Sequence, residues 1–333
     1  VIETVLGAVA PSELGVCSMH EHLLADASLL HVPAPEPPPG GDRVTIDNLG
    51  YLRWNSLALA DNLVLDDPQL AARELGYAAA VGQQALVELS TWGLGGHPAA
   101  LPAISRATGV TIVAGCGVYL DRPHPQWVSR SSAEALEERF LTALTDDLDG
   151  AGFRAGIIGI IGTGDPMTAS ETRVLEAAAG AAARTGAAIT VRLAPTAPGV
   201  EIIERMVAAG CPATQIVLGN VDEYLDLAYH RELAATGATL EWCFGQESRL
   251  RPGLWELSDA QRVDALVELL RDSEMARHCV LGAGVWTKTQ LRAYGGMGYE
   301  HLHRILAELR RRGISDADIE TMVLVNPARL LSH

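Results

Sequence analysis

Lysine is nearly missing: Lys288 stands alone among 25 basic residues, and the rest are arginines. Any chemistry that needs an amine has one candidate. Cysteines are few and scattered: Cys17, Cys116, Cys211, Cys243 and Cys279, with no Cys-x-x-Cys. That pattern argues against a disulfide framework and against a thiolate zinc site. No apolar run approaches the ~20 residues of a membrane-spanning helix. No charged-then-apolar leader opens the chain, so cytoplasmic residence and no membrane partner are expected. Positive charge is also scarce: the net charge is −16. Non-specific nucleic-acid binding needs a basic face, so no nucleic-acid partner is expected.

What is present suits a large core. Hydrophobic residues make up 48% of the 333 and charged residues 20%, which sets disorder aside. Eight short β-prone runs alternate with helical patterns, at 14–19, 85–89, 110–115, 156–161, 187–193, 215–219, 238–243 and 278–283. They are mostly continuous apolar runs, as in parallel strands buried on both faces. Thr168 with Glu171, and Ser258 with Gln261, read as capping boxes, and Gly210 as a helix stop. Eight strands separated by helices predict a single-domain α/β fold, a (β/α)8 TIM barrel. A doubly wound sheet competes less well, because no Gly-x-Gly-x-x-Gly follows the first strand. Residues 25–67 read as an insertion after strand one, with the Pro-rich stretch 33–41 forming a loop over the barrel mouth.

The first strand ends Ser18-Met19-His20-Glu21-His22. Side chains two apart on a strand point the same way. The pair His20 and His22 can therefore hold a divalent ion or act in proton transfer.

Further segments add to this pair. They are residues 19–23 (Met-His-Glu-His-Leu), 154–158 (Arg-Ala-Gly-Ile-Ile), 217–219 with Asp222 and Glu223, Lys288 with 291–296, Gly298 with Tyr299, and 326–331 (Asn-Pro-Ala-Arg-Leu-Leu). Distributed in this order, they resemble the phosphotriesterase-related branch of the amidohydrolase superfamily, which includes lactonases, over almost the entire chain. The resemblance implies a (β/α)8 barrel with two metal ions at the C-terminal mouth and an activated hydroxide that attacks an ester, lactone or phosphotriester. It also suggests a homodimer.

The chain departs from the family's metal site. The family needs a lysine or glutamate ending strand four, histidines on strands five and six, and an aspartate on strand eight. Here Gly159 or Ile160, Arg192, Asn220 and Gly284 stand at those positions. Arg192 brings a permanent positive charge. At an effective dielectric of ~20 it would repel a divalent ion about 5 Å away by several kcal/mol. The expectation is therefore a site with no cofactor. The alternative is one zinc or manganese on His20 and His22, helped by Asn220 or Cys243.

The remaining groups can do acid–base work on a small molecule. His20 and His22 can exchange protons near neutral pH, Arg192 can bind an anion, and Asn220 can donate to an oxyanion. Tyr119, Glu241, Trp286 and Asp165 are expected to contact substrate, with Glu88 and Cys243 nearby. Arg192 is expected to pair, if at all, with Glu88, Asp165 or Glu241. Lys288, His230, His301 and His303 read as structural. The favoured function is a metal-independent enzyme of bacterial specialised metabolism, catalysing elimination, isomerisation, cyclisation or hydrolysis at a carbonyl. The competitors are a single-metal ester or lactone hydrolase and a non-catalytic binding protein.

Overall fold

The computed structural model describes residues 1–122, 124–195 and 197–333. Eight parallel strands form one sheet in chain order: β1 (Cys17–Glu21), β2 (Ala85–Glu88), β3 (Thr111–Cys116), β4 (Ile157–Gly162), β5 (Ile189–Arg192), β6 (Ile216–Gly219), β7 (Thr239–Cys243) and β8 (Cys279–Gly282). The main helices are α1 (Pro68–Ala80), α2 (Leu101–Thr108), α3 (Ala133–Thr145), α4 (Ala169–Thr185), α5 (Gly199–Ala208), α6 (Leu227–Ala235), α7 (Asp259–Leu269) and α8 (His301–Arg311). Each follows the strand of the same number, which makes a (β/α)8 barrel. Both capping boxes form, starting α4 and α7. Among the described residues no helix is long and apolar enough to cross a membrane.

The ring closes between β1 and β8. The N–H of Gly284 donates to the carbonyl of His20 (2.9 Å), and the N–H of His22 to the carbonyl of Val285 (3.1 Å). The carboxylate of Glu21 accepts the N–H groups of Ala283 and Val285, both at 3.1 Å. Glu21 is thus a clasp across the seam. Its burial pushes its pKa up to about 7.

Strand periodicity divides the core. In β6, Ile216 and Leu218 pack towards the helices and Val217 fills the barrel; β8 repeats this with Cys279, Leu281 and Val280. In β7, Leu240 and Trp242 face the helices, which leaves Glu241 and Cys243 on the interior side. Two strands break the alternation. The β1–β2 register slips by one residue between Ser18 and Glu21, and the β4–β5 register slips between Ile158 and Ile161. Such bulges re-aim side chains. After the first, the interior face passes from Cys17 and Met19 to His20 and His22. After the second it passes from Ile157 to Ile160.

Residues between β1 and α1 fold over the mouth. They hold a two-stranded ladder (Ala25–Asp26 with Val64–Leu65) and a short helix, Leu49–Trp54. The ammonium of Lys288 pairs with Asp61 at 2.7 Å, and Asn62 accepts the N–H of Thr289 (3.0 Å). The single lysine therefore ties this segment to the loop after β8.

Candidate active site

A cavity of about 380 Å³ opens at the C-terminal end of the strands, where barrel enzymes place their chemistry. His20, His22, Tyr119, Arg192, Asn220 and Trp286 line it, with Ile160 among the apolar residues. Leu30, Val32 and Leu57 cover it from the segment over the mouth.

The two histidines belong to a buried relay. Nδ1 of His20 lies 2.7 Å from Oε1 of Glu241. Nε2 of His20 lies 3.2 Å from Nε2 of His22, and Nδ1 of His22 lies 3.1 Å from Oγ of Ser90. Burial alone would lower the pKa of His20, but the charge and hydrogen bond of Glu241 outweigh it and the net shift is upward. Burial, and then the charge of His20, push His22 well below its ordinary value. With Glu241 facing Nδ1 of His20, the two facing Nε2 atoms share one proton between the rings, and the opposite pKa shifts favour holding it on His20.

Glu241 is fully buried and sits behind His20. Its Oε1 also accepts the thiol of Cys243 at 2.8 Å, while Oε2 has no partner among the described residues. Burial, with the charge of Glu241 adding to it, raises the Cys243 pKa well above the thiol range, so the sulfur keeps its proton.

Arg192 and Glu223 meet at 2.6 Å across the cavity wall. Asn220 begins the single turn Val221–Glu223 in the left-handed conformation (φ 57°, ψ 35°), a region its amide side chain tolerates better than most residues. Behind them, Asp222 pairs with Arg262 at 2.8 Å, both fully buried. Asp222 also accepts the N–H of Cys243 (2.8 Å). Burial raises the Asp222 pKa to about 7 against the pull of Arg262. Arg262 donates to the carbonyl of Gln246, whose amide donates to the carbonyl of Gly284, each at 2.8 Å.

Several expectations need correction. Asp165 is exposed on the loop after β4 and does not line the cavity. Glu241 supports His20 from behind instead of facing the cavity. Glu88 lines a neighbouring hollow and accepts the N–H groups of Leu23 and Ser90. Arg192 pairs with Glu223, not with Glu88, Asp165 or Glu241. The one-turn helix after β6 carries Glu223 back over the strand end, and nothing in the residues' spacing to Arg192 signals that. Cavity residues missed in the sequence include Gln246, Arg122, Arg251 and Glu256. All lie beyond the ends of the barrel strands, Arg251 in a short hairpin strand (Arg249–Arg251) and the others in loops, where no barrel periodicity points to them; only the i, i+3 step from Asn220 could have drawn attention to Glu223.

With this geometry in place, comparison with known proteins is informative. The Phosphotriesterase family profile matches residues 1–331. An N-acetyltaurine hydrolase of Tetraodon nigroviridis is 34% identical, covering 99% of this chain and 97% of the relative. A resiniferatoxin-binding protein from Rhodobacter sphaeroides is similar in structure with a TM-score of 0.95 and 32% identity, over 99% of this chain and 94% of that one. A mutant of a PTE-like lactonase from Deinococcus radiodurans matches at a TM-score of 0.78 and 26% identity, with both chains fully covered.

These matches overturn the expectation of a site without a cofactor. Hydrolases of the phosphotriesterase family are metal-dependent, and here His20, Glu241 and Cys243 form a partial donor group, with atoms within 4.8 Å of one another. The charge of Glu223 offsets that of Arg192, so the repulsion expected from the arginine alone does not stand. In sequence over its whole length and in fold, this chain belongs to the phosphotriesterase family, and it is a hydrolase-type member of it.

Proposed function

We propose that the chain hydrolyses an acyl bond, amide or ester, in a small anionic molecule. The observation that carries this reading is the relay Glu241–His20–His22, open to the cavity at His22. His20 as acid and His22 as base hold one proton between facing nitrogens. Such a pair can take a proton from attacking water and return it to the leaving group. Glu241 stabilises the charged form of His20. Asn220 supplies amide hydrogens to the carbonyl oxygen as it gains charge.

The arginines favour an anion. Arg122 and Arg251 border the cavity and have no carboxylate partner among the described residues. With Arg192 they outnumber the cavity's carboxylates, Glu223 and Glu256, three to two, against an overall charge of −16, a local balance that favours anions. Among the described residues Arg192 uses one nitrogen, for Glu223, which leaves further donors for an oxyanion group. The relatives named N-acetyltaurine hydrolases support this choice, since N-acetyltaurine is an amide that ends in a sulfonate.

The two-ion centre expected of the family does not fit these residues. Ile160 and Gly284 offer no donor where a bridge and a carboxylate would stand, and Arg192 and Asn220 replace imidazoles. Among the described residues, no side chain with a donor atom stands at the family's bridging position.

The test is an assay of the purified chain against N-acyl aminosulfonates, N-acyl amino acids, neutral esters and lactones, following acid release. Turnover is expected for the anionic acyl compounds, falling about 100-fold or more in His22→Gln. Failure to turn over any acyl compound faster than His22→Gln does would overturn the reading.

A further inference from the structure

We infer that His20 of β1, with Glu241 and Cys243 of β7, forms a single metal site of nitrogen, oxygen and sulfur donors suited to a thiophilic divalent cation such as Zn2+. Loading the site exchanges the His20–Glu241 hydrogen bond, on which the hydrolytic reading rests, for metal bonds, so the inference concerns the metal-bound state of these residues and stands apart from the relay chemistry of the metal-free chain.

The donors converge. One atom from each residue lies within 4.8 Å of the others, and all three side chains are buried. Ligands held 2.0–2.3 Å from a tetrahedral zinc stand roughly 3.3–3.8 Å apart. The hydrogen-bonded contacts here, 2.7 Å from Glu241 to His20 and 2.8 Å to Cys243, need to open by only about 1 Å. His22 is not part of the group; it stands on the cavity side.

A second, independent observation points to a ligand. Oε2 of Glu241 is fully buried and has no hydrogen-bond partner among the described residues. A carboxylate oxygen in that condition is costly, and a cation held by both oxygens of the carboxylate satisfies it. The surroundings also leave room for the thiol. A Cβ on Gly284 would lie 3.1 Å from Sγ of Cys243 and collide with the Gln246 amide, and a Cβ on Gly219 would lie 3.1 Å from Oε2 of Glu241. Thus Gly219 of β6 and Gly284, just past β8, contribute space, and β1 and β7 contribute the ligands.

The donors are held from outside. Asp222, anchored by Arg262, holds the Cys243 N–H. The His20 carbonyl accepts the Gly284 N–H. Such outer contacts fix ligand orientation. Sulfur in the set selects zinc over magnesium or calcium, which prefer oxygen alone. Loading the ion displaces two protons to solvent, one from the Cys243 thiol and one from Nδ1 of His20.

Cobalt(II) bound to the whole protein tests the site. The wild type is expected to show the near-ultraviolet charge-transfer band of a thiolate–cobalt bond, with one equivalent bound. His22→Ala keeps the band. Cys243→Ser, close in shape and expected to keep its unfolding midpoint without metal, loses the band and binds zinc about 100-fold or more weakly. The inference falls if cobalt binds without the band, if zinc affinity is unchanged in Cys243→Ser, if the band depends on His22, or if the wild type binds neither metal. Acyl hydrolysis is measured on the metal-free chain, where the relay is intact, so a protein that shows the band with cobalt but no hydrolysis without metal keeps this site and removes the hydrolytic reading.

Discussion

The guanidinium of Arg192 and the carboxylate of Glu223 meet at 2.6 Å on the cavity wall. Arg192 comes from the last residue of β5, and Glu223 from the turn after β6. Their charges cancel at a distance of several ångströms. A cation near His20 therefore meets a dipole and not a bare positive charge, and the repulsion expected from Arg192 alone is largely removed. The pair also holds the guanidinium at one orientation towards the cavity.

That orientation gives the first prediction. Arg192→Gln should raise KM for an anionic acyl substrate by about 10-fold or more, the loss of a charged hydrogen bond, with a smaller change for a neutral analogue. Arg192→Lys should not restore binding, because a single ammonium cannot serve Glu223 and substrate as a fork does. Steady-state kinetics on paired charged and neutral substrates measures both.

Asn220 separates backbone from side-chain roles. Asn220→Ala should lose about 1 kcal/mol of stability, because alanine is strained at φ 57°. Asn220→Gly should keep stability near wild type and still lose about 100-fold in kcat if the amide serves the oxyanion. Denaturant unfolding and kcat on the same two variants decide it; equal kcat in Asn220→Gly and wild type would remove the amide from the chemistry.

The buried pair Asp222–Arg262 should be sensitive to loss of one partner. Arg262→Met leaves Asp222 without its counter-charge and should cost about 3–5 kcal/mol. It should also loosen the N–H anchor on Cys243. The denaturant midpoint reports the first effect, and zinc affinity of the folded fraction reports the second.

Glu88 makes stability depend on pH. Burial raises its pKa from 4.5 to about 7, against the lowering by its hydrogen bonds. A carboxyl whose folded pKa is raised binds its proton more tightly in the folded state. Its contribution is full below about pH 4.5, falls as pH rises towards about 7, and is flat above. Glu88→Gln lacks this titration. Relative to that variant, wild type should lose about 3 kcal/mol between pH 4.5 and pH 8. Chemical unfolding of both proteins at the two pH values measures the difference; an unchanged gap would place the Glu88 pKa near its ordinary value.

Much of the architecture was legible in the residue pattern. The eight apolar runs became the eight strands, though the first begins later than expected, at Cys17, and extends through His20 to Glu21. Six of the expected cavity residues, His20, His22, Tyr119, Arg192, Asn220 and Trp286, line one cavity, because strand ends in a parallel barrel all meet at one mouth. Other partners were not legible. The bulges in β1 and β4 depend on how neighbouring strands register, and a one-residue slip exchanges the faces of a strand. That slip decides that Ile160, not Gly159, faces the cavity.

The sequence by itself determined the strand count, the order of elements and the His-Glu-His motif. These follow from local periodicity and from residue types that act wherever the chain places them. Only the tertiary structure decided which charges neutralise one another and which donors converge. Glu223 reaches Arg192 from 31 residues away, and Glu241 reaches His20 from 221. Closing the barrel brings such residues together, and electrostatics and ligand geometry depend on distances in space, which the order of residues along the chain does not contain.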